Sequence, residues 1–110
     1  MNKICTTIEQ SQKLIELGID VNTADMYWWY SGKIHYVEAM DDGDFNKESD
    51  IPAWSLSALL ELLSFPNLFY NDGWNLYVTI NDKTVSINNA DNPIDAAFEM
   101  IVKLKEQNLI

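Results

Sequence analysis

Histidine and cysteine, a frequent base and a frequent nucleophile in enzymes, are scarce in this sequence. His35 is the only histidine and Cys5 the only cysteine among 110 residues. A cysteine nucleophile needs a base close by to form its thiolate, and no motif in the sequence accompanies this pair. The sequence also has no glycine-rich phosphate loop and no zinc-protease motif. We therefore expect no catalytic residue. The alternative is an active-site pocket assembled from residues that are distant in sequence.

The acidic connection after the first aromatic stretch invites comparison with a calcium-binding loop. Asp42, Asp44 and Asn46 fall at loop positions one, three and five. The comparison fails further on, because Lys47 stands where the loop needs glycine and Ala53 where it needs glutamate. A metal site could also include residues of the preceding strand. Its ligands would be His35, Glu38, Asp41 and Asp44, and the connection would have to fold back onto the strand to bring them together. We therefore predict a solvated turn, no metal site and no cofactor.

The most distinctive stretch of the sequence is aromatic and covers residues 26–37. Aromatic and β-branched residues on both sides of a short Ser-Gly turn predict a β-hairpin. A two-residue turn would pair Trp29 with Ile34 and Tyr27 with Tyr36. Both faces are then apolar, so a helix, a partner chain or a ligand must cover the second one. The predicted interaction residues, which we call the hairpin surface, are Tyr27, Trp28, Trp29, Tyr30, His35 and Tyr36.

Two alternatives for the hairpin surface stay open. Large, stiff and partly polar side chains are good interface anchors, so the first alternative is a contact with a partner protein or with a second copy of the chain. Alanine at Trp28 or Trp29 would then separate folding from binding, one variant mainly destabilising the fold and the other mainly weakening association. In the second alternative, the N-terminal helix lies across the second face and makes the hairpin part of the core.

One helix is expected near each end of the sequence. The first spans about residues 7–17, because Thr6 and Glu9 have the spacing of a capping box and Gly18 supplies a left-handed stop. The last helix begins after Asn92, which can cap it and is followed by a proline suited to the first turn. These two helices frame the strands between them.

The densest apolar signal lies mid-chain and predicts the helix on which the rest of the protein packs. Pro52 suits its first turn, and Asp50 or Ser49 would cap it. Its apolar face consists of Leu56, Leu59, Leu60 and Leu63. Pro66 closes this segment.

A short strand at residues 67–70, a turn at residues 71–73 and the clearest hairpin of the chain follow the central helix. An Asn81-Asp82 turn would set these pairs: Val78–Val85, Leu76–Ile87, Thr79–Thr84 and Tyr77–Ser86. The predicted fold is α+β, a mainly antiparallel sheet built from two β-hairpins with three helices, in the order α-ββ-α-(β)ββ-α.

Composition limits the classes of function. With 47% hydrophobic and 12% aromatic residues and a net charge of −10, the chain predicts a single domain over residues 1–110 with an acidic surface. All seven cationic residues are lysine, and without arginine we expect no direct nucleic-acid binding. No apolar run approaches membrane-spanning length and the N-terminus lacks a long apolar core, so we expect a cytoplasmic protein with no membrane contact.

Three phrases of the sequence are distinctive: Lys-Ile-Cys-Thr-Thr-Ile-Glu-Gln-Ser at 3–11, Asn-Thr-Ala-Asp-Met at 22–26 and Pro-Ala-Trp-Ser-Leu-Ser-Ala-Leu-Leu at 52–60. They resemble phrases in small uncharacterised proteins encoded in gut Bacteroides genomes, their phages and mobile elements. The resemblance runs over most of the chain. It implies a biological setting and assigns no activity, cofactor or catalytic residue.

These observations predict a small acidic cytosolic protein-interaction module, with a protein partner or a homodimer contact at the hairpin surface. The alternative is an acidic nucleic-acid mimic that occupies the basic groove of a host DNA-binding or defence protein. The distribution of charge separates the two, because a mimic needs its carboxylates on one face. An enzyme is the least favoured class, since no catalytic motif is present.

Overall fold

The computed structural model of the protein describes residues 3–41 and 44–110. Within these ranges the chain forms three α-helices, one short 3₁₀ helix and six strands. In chain order they are α1 (Ile8–Glu16), the 3₁₀ helix (Val21–Thr23), β1 (Met26–Tyr30), β2 (His35–Ala39), β3 (Ile51–Ala53), α2 (Leu56–Glu61), β4 (Asn67–Tyr70), β5 (Trp74–Ile80), β6 (Lys83–Ala90) and α3 (Pro93–Glu106). This order confirms the α+β class and adds β3, a strand that the sequence analysis did not predict.

The six strands form two antiparallel sheets of three strands each. The first has the order β2-β1-β3, and we call it the hairpin sheet. The second has the order β4-β5-β6, and we call it the core sheet because α3 packs against β5 and β6. The two predicted hairpins therefore belong to different sheets.

The longest helix, α3, is the centre of the hydrophobic core. It buries six side chains: Ile94, Ala96, Ala97, Met100, Ile101 and Leu104. Asn92 caps the helix by accepting a hydrogen bond from the Asp95 backbone N–H, and Pro93 occupies its first turn, as predicted. The core sheet contributes Leu76, Val78 and Val85 to the same buried cluster. Burial of this apolar surface is the main stabilising contribution to the fold.

The mid-chain helix is shorter and less central than predicted. Residues Ile51–Ala53 form β3 at an edge of the hairpin sheet, so Pro52 lies in an edge strand, where its missing N–H is tolerated. The helix begins only after Ser55, whose hydroxyl, rather than Asp50, caps it by accepting a hydrogen bond from Ala58 N–H. The six-residue α2 packs against α3. It supports α3 and does not organise the fold.

The capping box of the first helix lies one residue later than predicted. The Thr7 hydroxyl accepts a hydrogen bond from Gln10 N–H at 3.1 Å, and the Gln10 side chain accepts one from Thr7 N–H at 3.0 Å. The box is therefore Thr7–Gln10 and not Thr6–Glu9, although both pairs have the required spacing. The Thr6 hydroxyl has other partners. Gly18, with φ of +86°, ends the helix as predicted.

The second hairpin confirms the predicted register. The pairs Val78–Val85, Leu76–Ile87, Thr79–Thr84 and Tyr77–Ser86 are all present. Asn81 and Asp82 have φ of +52° and +63°, the left-handed conformation that both central residues of a type I′ turn require. The short strand β4 is present as well. The turn and strand signals of this segment come from residues close together in sequence, which is why the register could be predicted from sequence alone.

A buried junction around Thr6 joins the N-terminal segment to the hairpin sheet. Thr6 N–H donates to the Trp54 carbonyl at 2.9 Å, and Trp54 N–H donates to the Thr6 hydroxyl at 3.1 Å. The Thr6 hydroxyl also bonds to the Ser11 hydroxyl at 2.8 Å, and the Trp28 indole N–H donates to the Thr6 carbonyl at 3.0 Å. The Trp54 indole N–H donates to the Thr23 hydroxyl at 2.9 Å. We call this set of contacts the Thr6 junction.

Leu59→Ala is expected to lower the free energy of unfolding by about 2–5 kcal/mol, because a fully buried side chain would be replaced by a cavity. Leu60→Ala is the matched control, since Leu60 lies next in α2 but packs only partly buried against the core. Its loss should be smaller. Chemical denaturation of both variants measures the difference, and equal losses would contradict the burial pattern of α2.

Asp95 predicts a pH dependence of stability. Burial alone would raise the pKa of Asp95, but hydrogen bonds from Lys3, Gln10 and Asn92, together with the Lys3 charge, bring this pKa below its ordinary value. The stabilisation by ionised Asp95 is therefore complete above the unfolded-state pKa of about 3.9, and it is lost as the pH falls through the lower folded-state pKa.

We expect Asp95→Asn to melt at a lower temperature than the wild type at neutral pH, and the difference to close as the pH falls below the unfolded-state pKa of about 3.9 and through the lower folded-state pKa. Thermal melts of both proteins across this range measure it. A difference that stays constant down to the lowest pH would show that the charge of Asp95 contributes nothing.

Candidate interaction site

The first hairpin has a longer turn than predicted. Trp29 lies opposite Tyr36, whereas the predicted two-residue turn put it opposite Ile34 and put Tyr27 opposite Tyr36. The turn takes residues 31–34 and is closed by Ser31, whose N–H donates to the Ile34 carbonyl at 3.0 Å and whose hydroxyl donates to the same carbonyl at 3.1 Å. The prediction was wrong because it used Ser31 only as the first residue of a two-residue turn. It did not expect Ser31 to close a four-residue turn through hydrogen bonds to Ile34. A shift of two residues still leaves every side chain on its predicted face.

The exposure of the hairpin surface increases from the base of the hairpin to its end. Tyr27 is 2% exposed, Trp28 and Trp29 are half-buried, and Tyr30 is 57% exposed. Ile34 in the turn is 54% exposed. We call the exposed group the hairpin tip; its members are Tyr30, Ile34, His35 and Tyr36. The predicted surface is therefore divided into a packed base and a tip that meets solvent.

Different neighbours cover the two faces at the base. On one face, the Trp28 indole belongs to the Thr6 junction. On the other, the Tyr27 hydroxyl donates to the Glu38 carboxylate at 2.9 Å, and its ring meets Phe45 edge-on with 5.4 Å between centroids. The N-terminal segment thus covers part of one face, and the acidic connection covers part of the other.

Trp29 differs from the other tryptophans of the hairpin sheet region in its hydrogen bonding. Its ring stacks on Tyr36 with 4.8 Å between centroids and 26° between planes. Its indole nitrogen is buried and has no hydrogen-bond partner in the described part of the chain, whereas the indoles of Trp28 and Trp54 both donate. A buried N–H without a partner is unfavourable. Packing alone therefore holds the Trp29 ring in place.

An aromatic–acidic pocket of about 280 Å³ lies beside the hairpin. Its lining residues are Tyr27, Trp29, Tyr30, Glu38, Asp44 and Asp50. Burial, together with the hydrogen bond to Glu38, raises the pKa of Tyr27 to about 12. The Tyr27 hydroxyl therefore stays protonated at neutral pH and donates to the carboxylate throughout the physiological range.

A larger groove, of about 760 Å³, lies between α1 and the acidic connection. Most of its lining is apolar: Ile15, Val21, Ala24, Met40, Phe45, Ile51 and Pro52. Asp50 lines both this apolar groove and the aromatic–acidic pocket, so the two are neighbours. The remaining lining side chains, Gln12, Asn22 and Lys47, include no nucleophile paired with a base. The groove suits apolar groups of a ligand.

The sequence analysis missed a second group of exposed aromatic side chains, which lie in β4, β5 and the segment before β4 and which we call the β4 surface. Its members are Phe65, Phe69, Tyr70 and Tyr77. Phe65 is 92% exposed and has φ of +49°, a conformation that is unfavourable for a bulky residue. A signal was available, because residues 62–71 carry no charge in an otherwise acidic chain.

Cys5 and His35 are not arranged for nucleophilic catalysis. Cys5 is buried, and its thiol donates to the Thr6 carbonyl at 3.4 Å. Burial, with a smaller contribution from the Asp25 charge, raises the pKa of Cys5 to about 11, so the thiol is protonated at neutral pH. His35 is exposed on β2, with its ring 4.8 Å from that of Tyr30. The geometry supports no thiolate nucleophile.

The described residues, 3–41 and 44–110, contain no group of three histidine, cysteine, aspartate or glutamate side chains that could hold one metal ion. Asp42, the first position of the calcium-loop comparison, lies outside these ranges. The absence of a metal and of a cofactor therefore stays a prediction.

Comparison of the chain with protein-family models, curated proteins and solved structures found no match. The resemblance to proteins of gut Bacteroides, their phages and mobile elements stays a prediction. Among the helices of the described ranges, none has the length and the apolarity needed to cross a membrane.

Trp28→Phe is expected to lower the free energy of unfolding by about 1–3 kcal/mol, because it removes the indole donor and leaves the buried Thr6 carbonyl with only the weak Cys5 S–H donor. Trp29→Phe is the matched control: the same change removes an N–H that has no partner. It should therefore cost less. Denaturation of both variants measures the difference, and a larger loss for Trp29→Phe would contradict the assignment of Trp28 to the fold.

Proposed function

We propose that the protein is a small acidic protein-interaction module that binds a partner protein through the hairpin tip. The observation that carries this proposal is the exposure of Tyr30, Ile34 and Tyr36 at the end of a hairpin whose base is fixed. Aromatic side chains on paired strands lose little freedom on binding, so they make efficient anchors.

Energetics supports an interface at the tip. Each Å² of apolar surface removed from water contributes about 25 cal/mol, and tyrosine combines a large apolar ring with a hydroxyl that can stay hydrogen-bonded. No residue of β1 or β2 belongs to the main core cluster. The exposed aromatic rings therefore have no structural task in the core that would explain their presence at the tip.

The charge beside the hairpin favours a basic partner. The acidic connection spans residues 38–50, and its described residues, 38–41 and 44–50, contain five acidic residues and one lysine, a net charge of −4 out of the −10 of the whole chain. Such a concentration of charge attracts a basic surface and accelerates its association. A second copy of the chain carries the same charge, so repulsion opposes a homodimer on this side of the hairpin.

The second candidate is the acidic nucleic-acid mimic, and the same acidic connection is the observation that favours it. A mimic would bind through its carboxylates, whereas the module binds through its aromatic tip. Neutralising acidic residues should therefore abolish binding by a mimic. Truncating the aromatic side chains of the tip should abolish binding by the module. The composition without arginine still argues against direct nucleic-acid binding.

The setting we propose is the cytoplasm of a gut Bacteroides cell, with the protein encoded by the genome, a phage or a mobile element. This part of the proposal is supported by the resemblance of the three sequence phrases. The single buried cysteine is compatible with a reducing compartment.

The proposal predicts that affinity capture from a gut Bacteroides lysate retains a partner on the wild type and loses it on Tyr30→Ser/Tyr36→Ser. Phe69→Ser/Tyr70→Ser is the matched control, because it removes two exposed aromatic rings from the β4 surface instead. Quantitative mass spectrometry compares the retained proteins, and thermal melts verify that all variants fold.

Three outcomes would contradict the module. The first is the same set of retained proteins on the tip variant, and the second is loss of the partner from the β4 control alone. The third is loss on Asp41→Asn/Glu48→Gln with no effect of the tip variant, which would support the mimic. Light scattering over a dilution series tests the second copy: a concentration-dependent dimer that the tip variant abolishes would make the homodimer the interaction.

A further inference from the structure

We propose that the aromatic–acidic pocket binds one lysine or arginine side chain of the partner. This rests on the proposed interaction function and specifies the chemistry of the partner. Three aromatic residues and three acidic residues line this single cavity: Tyr27, Trp29, Tyr30, Glu38, Asp44 and Asp50. Aromatic faces and carboxylates attract the same kind of ligand, an organic cation.

The aromatic lining is suited to a cation. Indole is the strongest of the aromatic side chains in binding an ammonium or guanidinium group over its face, and phenol rings act in the same way. Two of the three rings are held in place before any ligand arrives, Trp29 by stacking on Tyr36 and Tyr27 by its hydrogen bond to Glu38. Preorganised walls reduce the entropy that binding costs.

The carboxyl groups complete the match. Glu38 lies in β2, whereas Asp44 and Asp50 lie in the part of the acidic connection beyond this strand, and all three line one cavity. Carboxylates around a shared cavity repel one another, and a cation between them relieves this repulsion. Together with the rings, they would surround a positively charged group.

An organic cation fits the pocket better than a metal ion. Within the described residues no group of three metal-ligating side chains is placed to hold one metal ion, whereas aromatic rings beside carboxylates suit an organic cation. The volume of about 280 Å³ is below the range of about 300–1,000 Å³ typical of small-molecule sites, and it exceeds the space of a few waters. A single long side chain, with its apolar stem and charged end, matches this size.

The neighbouring apolar groove indicates what lies next to the basic residue in the partner. It shares Asp50 with the pocket and is lined mainly by apolar side chains such as Ile15 and Phe45. A partner segment that fills both therefore carries apolar residues beside its lysine or arginine. The probe for the test is the peptide acetyl-Leu-Lys-Leu-amide, with its arginine counterpart.

The experiment follows the indole N–H resonances of the ¹⁵N-labelled protein while peptide is added, with Trp29 assigned by its loss in Trp29→Phe. We expect a saturable shift of the Trp29 signal with the lysine and arginine peptides and none with acetyl-Leu-norleucine-Leu-amide, which lacks only the charge. Magnesium, added so that its concentration of positive charge equals that of the basic peptide, is the control for non-specific attraction. It should leave the Trp29 signal unshifted.

Variants locate the binding. Glu38→Gln and Asp44→Asn should each weaken the peptide affinity about two- to fivefold, the effect of losing one exposed charge pair. Glu48→Gln is the matched control, because it removes the same charge from the same connection but does not line the pocket.

The proposal is overturned by an unchanged Trp29 signal with both basic peptides, by an equal shift with the norleucine peptide, or by an equal effect of Glu48→Gln and Glu38→Gln. Its failure is distinguishable from failure of the interaction module. If capture depends on the tip but the peptides do not bind, the module stands and the pocket proposal falls. If the peptides bind but capture does not depend on the tip, the module falls.

Discussion

The structure depends on the buried hydrogen bonds of Thr6. Its hydroxyl accepts the Trp54 N–H, its own N–H donates to the Trp54 carbonyl, and its carbonyl accepts the Trp28 indole N–H. Thr6 is fully buried, so each of these groups has lost its contact with water, and leaving one unpaired costs about 1–3 kcal/mol. This requirement fixes the N-terminal segment against the end of β3 and the base of β1. It thereby positions the hairpin sheet relative to the helices.

The Thr6 junction explains how the protein can present an aromatic surface without collapsing onto it. No side chain of β1 or β2 enters the main core cluster, so the core alone does not hold the hairpin. The junction and the Tyr27–Glu38 hydrogen bond hold the base of the hairpin. The tip is exposed because β1 and β2 extend beyond these contacts. Asp44, Phe45 and Asp50 of the acidic connection lie beside the hairpin. An exposed apolar tip, a pocket and negatively charged side chains therefore occur together at this end of the hairpin sheet.

Local signals predicted the fold, and long-range contacts limited the prediction. The Asn81-Asp82 turn determines the second hairpin by its own backbone conformation, so its register could be derived from sequence. Pro52 suits a helix start and an edge strand equally well, and only pairing with β1 decides in favour of the strand. The hairpin surface was predicted as a set, but its division into base and tip depends on Thr6 and Phe45, which are distant in sequence. The aromatic–acidic pocket depends on the placement of the acidic connection and has no local pattern.

Site-directed photo-crosslinking in living cells tests the central claim most directly. A benzophenone amino acid replaces Tyr30 at the hairpin tip in one variant and Tyr70 on the β4 surface in the other, both exposed positions. If the tip is the interaction surface, irradiation links the Tyr30 variant to a partner protein and leaves the Tyr70 variant unlinked. Cross-links from position 70 alone, or none from position 30, would contradict it.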